Sequence, residues 1–84
     1  MHKILLERKA EKDMDRLPPD SHSRIIAAIR QLANDPRPAG CRKLAGGRND
    51  WRIRIGVYRV LYEIDDKAKI LRINRVRHRR DVYR

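Results

Sequence analysis

The apolar residues of this chain change their spacing midway, from a repeat near 3.6 to a repeat of 2. A helical repeat cannot be buried as a strand, nor the reverse, so the switch decides which half supplies which kind of element. Ala10, Met14 and Leu17 fall at i, i+4 and i+7 among charged residues, which predicts a short amphipathic helix ended by Pro18-Pro19. Asp20 or Ser21 is expected to cap a second helix, with Ile25, Ile26, Ile29, Leu32 and Ala33 as its stripe and a stop before Pro36. Residues 2–7 (HKILLE) read as a first strand, and 34–40 (NDPRPAG) as a connector. From Arg42 the alternation predicts strands over 42–45, 51–55, 58–65 and 69–76, with turns at Gly56-Val57 and around Asp66-Lys67. A chain of 84 residues is expected to make one domain, 1–84. The class is α+β in the order β-α-α-β-β-β-β. Two helices should pack on one face of a mostly antiparallel sheet and leave the other face open.

Gly56 as the first residue of a two-residue loop fits a type II′ hairpin. That loop sets Ile55 opposite Tyr58, Arg54 opposite Arg59, Ile53 opposite Val60, Arg52 opposite Leu61 and Trp51 opposite Tyr62. Trp51, Ile53, Ile55, Tyr58, Val60 and Tyr62 then share an apolar face, and Arg52, Arg54, Arg59 and Leu61 share the other. Taking Asp66-Lys67 as the next turn puts Tyr62 opposite Leu71, Val60 opposite Ile73, Leu61 opposite Arg72 and Arg59 opposite Asn74. Like charges facing each other across strands destabilise by a few tenths to about 1 kcal/mol. A face built from them implies an anion that completes it.

Charge says the same. The chain holds 22 Lys+Arg against 11 Asp+Glu, a net of +11, and 16 of the 22 bases are Arg. Residues 1–41 carry a net of +2 and residues 42–84 a net of +9, so the second half is expected to bind and the first half to support it. This balance excludes an acidic-ligand site or a neutral scaffold as a first reading and favours a polyanion. The basic tail 76–84 (VRHRRDVYR) contains Val82 and Tyr83, and apolar side chains in such a run should dock. Cys41 is the only cysteine, which excludes a disulfide framework or a multi-Cys metal site. His2 and His22 have no partners at metal-ligand spacing, and no cofactor or metal is expected. No apolar run approaches 18 residues, and the N-terminal residues lack the long apolar stretch of a signal peptide. The chain is expected to be soluble and cytoplasmic, with no membrane partner.

At Arg42–Gly46 (RKLAG), Trp51–Ile55 (WRIRI), Gly56–Ile64 (GVYRVLYEI) and Val76–Tyr83 (VRHRRDVY), the sequence resembles the RelE branch of the RelE/ParE toxin superfamily. The order of elements matches over essentially the whole chain. The resemblance implies the toxin of a type II toxin–antitoxin pair, a ribosome-dependent mRNA endonuclease that cuts the A-site codon. In that family the message's own ribose 2′-hydroxyl attacks, leaving a 2′,3′-cyclic phosphate and a 5′-hydroxyl without a metal. Carried over residue by residue, the hairpin positions fall on Arg52 and Arg54, the next-strand base on Arg59, and the tail pair on Arg79 and Tyr83, with His78 beside them. Arg72, Asn74, Arg77, Arg80, Arg84, Arg48 and Lys43 are expected to contact RNA. The implied partners are an acidic antitoxin in a heterotetramer, the ribosome and its mRNA, and operator DNA only through the antitoxin.

The transfer needs a base for the 2′-hydroxyl, charge stabilisation at phosphorus and an acid for the leaving 5′-oxygen. A guanidinium stays protonated, so the arginines suit stabilisation and positioning. Tyr83, made more acidic by surrounding cations, is the first choice of base and His78 the second. Arg79 is the expected phosphate partner beside the leaving group. Two alternatives stay open: a ParE-like DNA gyrase poison of the same fold, and a non-catalytic basic RNA-binding module.

Overall fold

Residues 1–47 and 49–82 are described in the structure, a computed structural model. Strand β1 (Lys3–Leu6) leads into helices α1 (Arg8–Asp15) and α2 (Pro19–Leu32), and the connector brings the chain to β2 (Arg42–Lys43). Strands β3 (Asp50–Ile55), β4 (Tyr58–Asp65) and β5 (Ile70–His78) follow, and α3 (Arg79–Val82) ends the described chain. The sheet order is β1-β5-β4-β3-β2, antiparallel except where β1 lies parallel to β5. Together these give the expected α+β arrangement. None of the helices is long and apolar enough to cross a membrane among the described residues.

The helical stripes bury themselves against the central strands. Ala10 and Met14 of α1 and Ile25, Ile29 and Leu32 of α2 meet Val60, Tyr62 and Ile64 of β4 and Leu71, Ile73 and Val76 of β5. Each large apolar side chain buried in this way contributes about 1.5–3 kcal/mol. The Tyr62 hydroxyl donates to the Pro36 carbonyl at 2.8 Å, which fastens the connector to the core. Its burial pushes the phenol pKa far above the usual range.

Several expected boundaries shift for local reasons. Helix α2 begins at Pro19 instead of behind a cap at Asp20 or Ser21, and Pro18 holds the N-cap position without a side-chain hydrogen bond. Proline suits the first helical position because its φ is already helical and its missing N–H would be unpaired there. Strand β2 is two residues long, not four. Strand β5 runs to His78, and the tail then turns into α3 instead of leaving the sheet at Val76.

The β3–β4 register is the expected one from Ile55↔Tyr58 through Trp51↔Tyr62. Gly56 has φ +60 while Val57 keeps an ordinary φ, the pattern of a type II′ turn. The β4–β5 register differs from expectation. Its turn is four residues, 66–69, with Lys69 at φ +58 and the Asp65 side chain accepting from the Ala68 N–H at 2.9 Å. Tyr62 therefore meets Ile73 rather than Leu71, and Glu63 meets Arg72. A β-bulge follows: Leu61 pairs with Arg75, Tyr62 with Ile73, and Asn74 is the extra residue between them. Beyond it Val60 pairs with Val76 and Arg59 with Arg77.

Candidate nucleic-acid interface

An extra residue in a strand exchanges its two faces, and here that decides which bases gather. Arg54 of β3, Arg59 of β4 and Arg77 of β5 stand directly across from one another in a single row. The expected neighbours of Arg59, Asn74 with Arg72 at the flank, are replaced by Arg77. Arg59 is only 3 % exposed, and its Nη1 has no hydrogen-bond partner among the described residues. Burying a charged donor unpaired is among the more costly arrangements a fold can hold. Within the described residues no carboxylate lies within ion-pairing distance of Arg54, Arg59 or Arg77.

Two clefts open on this row. One, of about 390 Å³, is lined by Arg54, Gly56, Arg59, Arg79 and Arg80. Helix α3 is held there because the Arg79 N–H donates to the Val57 carbonyl across the hairpin tip. The open face expected from the sequence is thus partly walled by the tail. The second cleft, of about 340 Å³, includes Gly40, Arg42, Arg52, Arg54 and Arg59 in its lining.

Strand β5 is clamped from behind. Past the end of β1 its edge is taken over by Asp13 of α1, whose carboxylate accepts from Arg75 Nε at 2.8 Å, Arg75 Nη2 at 3.2 Å and the Val76 N–H at 2.9 Å. Burial alone would raise the Asp13 pKa, but the hydrogen bonds from Arg75 and Val76 outweigh it and hold the carboxyl below its ordinary value. The clamp sits immediately after the bulge, so it fixes the segment that carries Arg77.

Not every expected residue joins the site. Arg72 pairs with Glu63 at 3.2 Å and lies 4.0 Å from Glu7, in a cleft with Asp50, Asp65 and Asp66. Asn74 occupies the bulge with Oδ1 buried and unpartnered among the described residues. Lys43 lies opposite Trp51, on the face away from the arginine row, whereas Arg42 lies opposite Arg52 and on the same face as it. Sequence reasoning passed over Arg42, and the alternation R-K was its only signal. His78 meets Tyr58 edge-on with ring centroids 5.5 Å apart, and its Nδ1 accepts from the Arg80 N–H at 3.3 Å. Arg48, Tyr83 and Arg84 lie outside the described residues. No group of three or more His, Cys, Asp or Glu gathers as a metal site among the described residues.

Known proteins resemble this chain in sequence and in fold. A family described as the ParE toxin of the type II toxin–antitoxin system, parDE, matches residues 4–83. Toxin RelG of Mycobacterium tuberculosis is 40 % identical over 83 residues, covering 89 % of this chain and 87 % of that protein. The toxin–antitoxin complex RelBE2 of M. tuberculosis superposes with a TM-score of 0.82 at 28 % identity, over 93 % of this chain and 98 % of the other. The archaeal RelE–RelB complex of Pyrococcus horikoshii gives 0.83 at 25 % identity, over 93 % and 94 %. With sequence, fold and element order in agreement from end to end, the chain belongs to the RelE/ParE family of type II toxin–antitoxin toxins.

Proposed function

We propose that this toxin is a ribosome-dependent endoribonuclease that cuts mRNA at the A-site codon by attack of the message's own 2′-hydroxyl. The observation that carries the reading is the row Arg54–Arg59–Arg77 with the unpaired, buried guanidinium of Arg59 at its centre. A phosphodiester would supply the missing acceptors, and negative charge growing on its oxygens during the displacement would be stabilised by donors already in place. In the step the 2′-oxygen forms a bond to phosphorus, the bond to the 5′-oxygen breaks, and one proton leaves the nucleophile while another reaches the leaving group. Arg79 and Arg80 face the same cleft and suit the leaving side. Arg52 lies one pleat repeat away in the neighbouring cleft.

The base must come from elsewhere, because a guanidinium does not give up its proton at neutral pH. With its Nδ1 already accepting from the Arg80 N–H, His78 stands second as the base. Tyr83 is therefore the base in this reading. The RelBE2 and P. horikoshii relatives are complexes of toxin with antitoxin. An acidic antitoxin that covers the arginine row, assembles as a heterotetramer and alone contacts operator DNA is the matching partner for this chain.

A second reading is favoured by the ParE description of the matching family, namely a gyrase poison that acts through a protein contact. The experiment is to map 5′ ends of a message on ribosomes treated with purified protein, alongside a gyrase supercoiling assay. Breaks confined to the A-site codon, ending in 5′-hydroxyl, are the expected result. Intact message with lost supercoiling would replace the nuclease by the gyrase reading.

A further inference from the structure

The arginine row is not the only place where cations face each other. Arg42 of β2 lies directly opposite Arg52 of β3, forming a second like-charge rung on the same side of the sheet. It is displaced from the Arg54 rung by two residues of β3, about 7 Å at the rise of a strand. One sugar–phosphate repeat of an extended single strand is of that same order. The two clefts follow this geometry: Arg42 and Arg52 line one, Arg79 and Arg80 line the other, and Arg54 and Arg59 line both. Arg59 lines both clefts, and its buried Nη1 has no hydrogen-bond partner among the described residues. Gly40 forms part of the wall of the Arg42 cleft, and a Cβ there would meet nothing within 4 Å. The backbone at that point is open to close approach by a ligand. Its φ of +91 favours glycine regardless of the space.

We infer that the cleft of Gly40, Arg42 and Arg52 is a second phosphodiester subsite, holding the phosphate next to the one gripped at Arg54 and Arg59. This rests on the reading of the site as an RNA cleft. Two rungs one repeat apart fix the register of the strand as well as its affinity, because a phosphate held at Arg42 and Arg52 leaves its neighbour, the bond to be cut, at Arg54 and Arg59. Arg42 is exposed on a two-residue edge strand and contributes nothing to the core, so its charge is free to serve the ligand.

The test uses the free toxin and 2′-O-methyl oligoribonucleotides, which bind but cannot be cut. A dinucleotide carries one phosphodiester and a trinucleotide carries two. Wild type should bind the trinucleotide roughly tenfold tighter, the size of one charge-assisted contact. Arg42→Ala should lose that gain while keeping the dinucleotide affinity, and Arg42→Lys should retain most of it. The slope of log affinity against log salt should steepen by about 0.7 from dinucleotide to trinucleotide on wild type and stay level on Arg42→Ala. Equal affinities for the two oligonucleotides, no binding of either, or a gain that survives Arg42→Ala would overturn the subsite. Mapping on ribosomes reads out separately: an Arg42-dependent gain without A-site breaks removes the nuclease reading and leaves the subsite standing.

Discussion

Around the turn between β4 and β5, Arg72 sits 3.2 Å from Glu63 and Arg37 sits 2.8 Å from Asp66, with Asp50 and Asp65 close by. At the other end of β4, around the Gly56 hairpin, Arg54, Arg59 and Arg77 line up without a carboxylate partner among the described residues. Between the ends, Arg75 is clamped by Asp13. One residue type thus has two fates on one strand pair. Arginines with acid partners fasten turns, connector and helix to the sheet. Those without such partners add repulsion and, at Arg59, a desolvation cost, which the proposed function sets against the phosphate they would hold.

If that contrast is right, the two groups must respond oppositely to mutation. Arg54→Glu should have the largest effect on function. It places an acid opposite Arg59, so growth arrest on expression should fall by a hundredfold or more, on the order of losing a charge stabiliser. The melting temperature should hold or rise, because a like-charge rung becomes an opposite-charge one. A large drop in melting temperature would show that Arg54 is structural and break the comparison.

Asp13→Asn probes the other group. Losing the carboxylate of a partly buried, triply hydrogen-bonded pair should cost about 1–3 kcal/mol of stability, measured by urea unfolding. The Asp13 pKa is lower in the folded chain than in the unfolded one, so its contribution is present above the ordinary carboxylate value. It is lost as pH falls through the lowered value. Wild type should therefore lose more stability than Asp13→Asn on acidification through that window, and parallel acid profiles would show that the clamp contributes no stability. Arg72→Ala should have the smallest effect, below about 1 kcal/mol with growth arrest unchanged, because its ion pair is half exposed to water. Loss of arrest would return Arg72 to the binding surface.

The helical half, the β3–β4 register and the row's Arg54–Arg59 rung were legible because alternation and the Gly56 loop leave one self-consistent pairing. The β4–β5 register was not, since a turn containing Asp66-Lys67 closes equally well with two or four residues. The bulge did leave a trace: Leu71 and Ile73 are two apart, while the next buried position, Val76, is three further on. Read strictly as period 2, that interval passed unnoticed; its shift of one residue adds to the turn's shift of two and brings Arg77, not Asn74, opposite Arg59. Arg42 and Lys43 could not be assigned to faces because the loop after them, unlike the hairpin, sets no register by its length. Helix α3 was hidden for another reason. Four residues give no period, and its position depends on the Arg79–Val57 hydrogen bond across the hairpin tip.

The central claim is that Arg59 is kept buried and unpaired for a phosphate backbone and not for the fold. Thermal melting of wild type and Arg59→Met, each alone and with an uncleavable single-stranded oligoribonucleotide, tests it directly. Arg59→Met should melt at or above wild type in buffer and lose the stabilisation that RNA confers on wild type. A variant that melts well below wild type and still gains from RNA would contradict it.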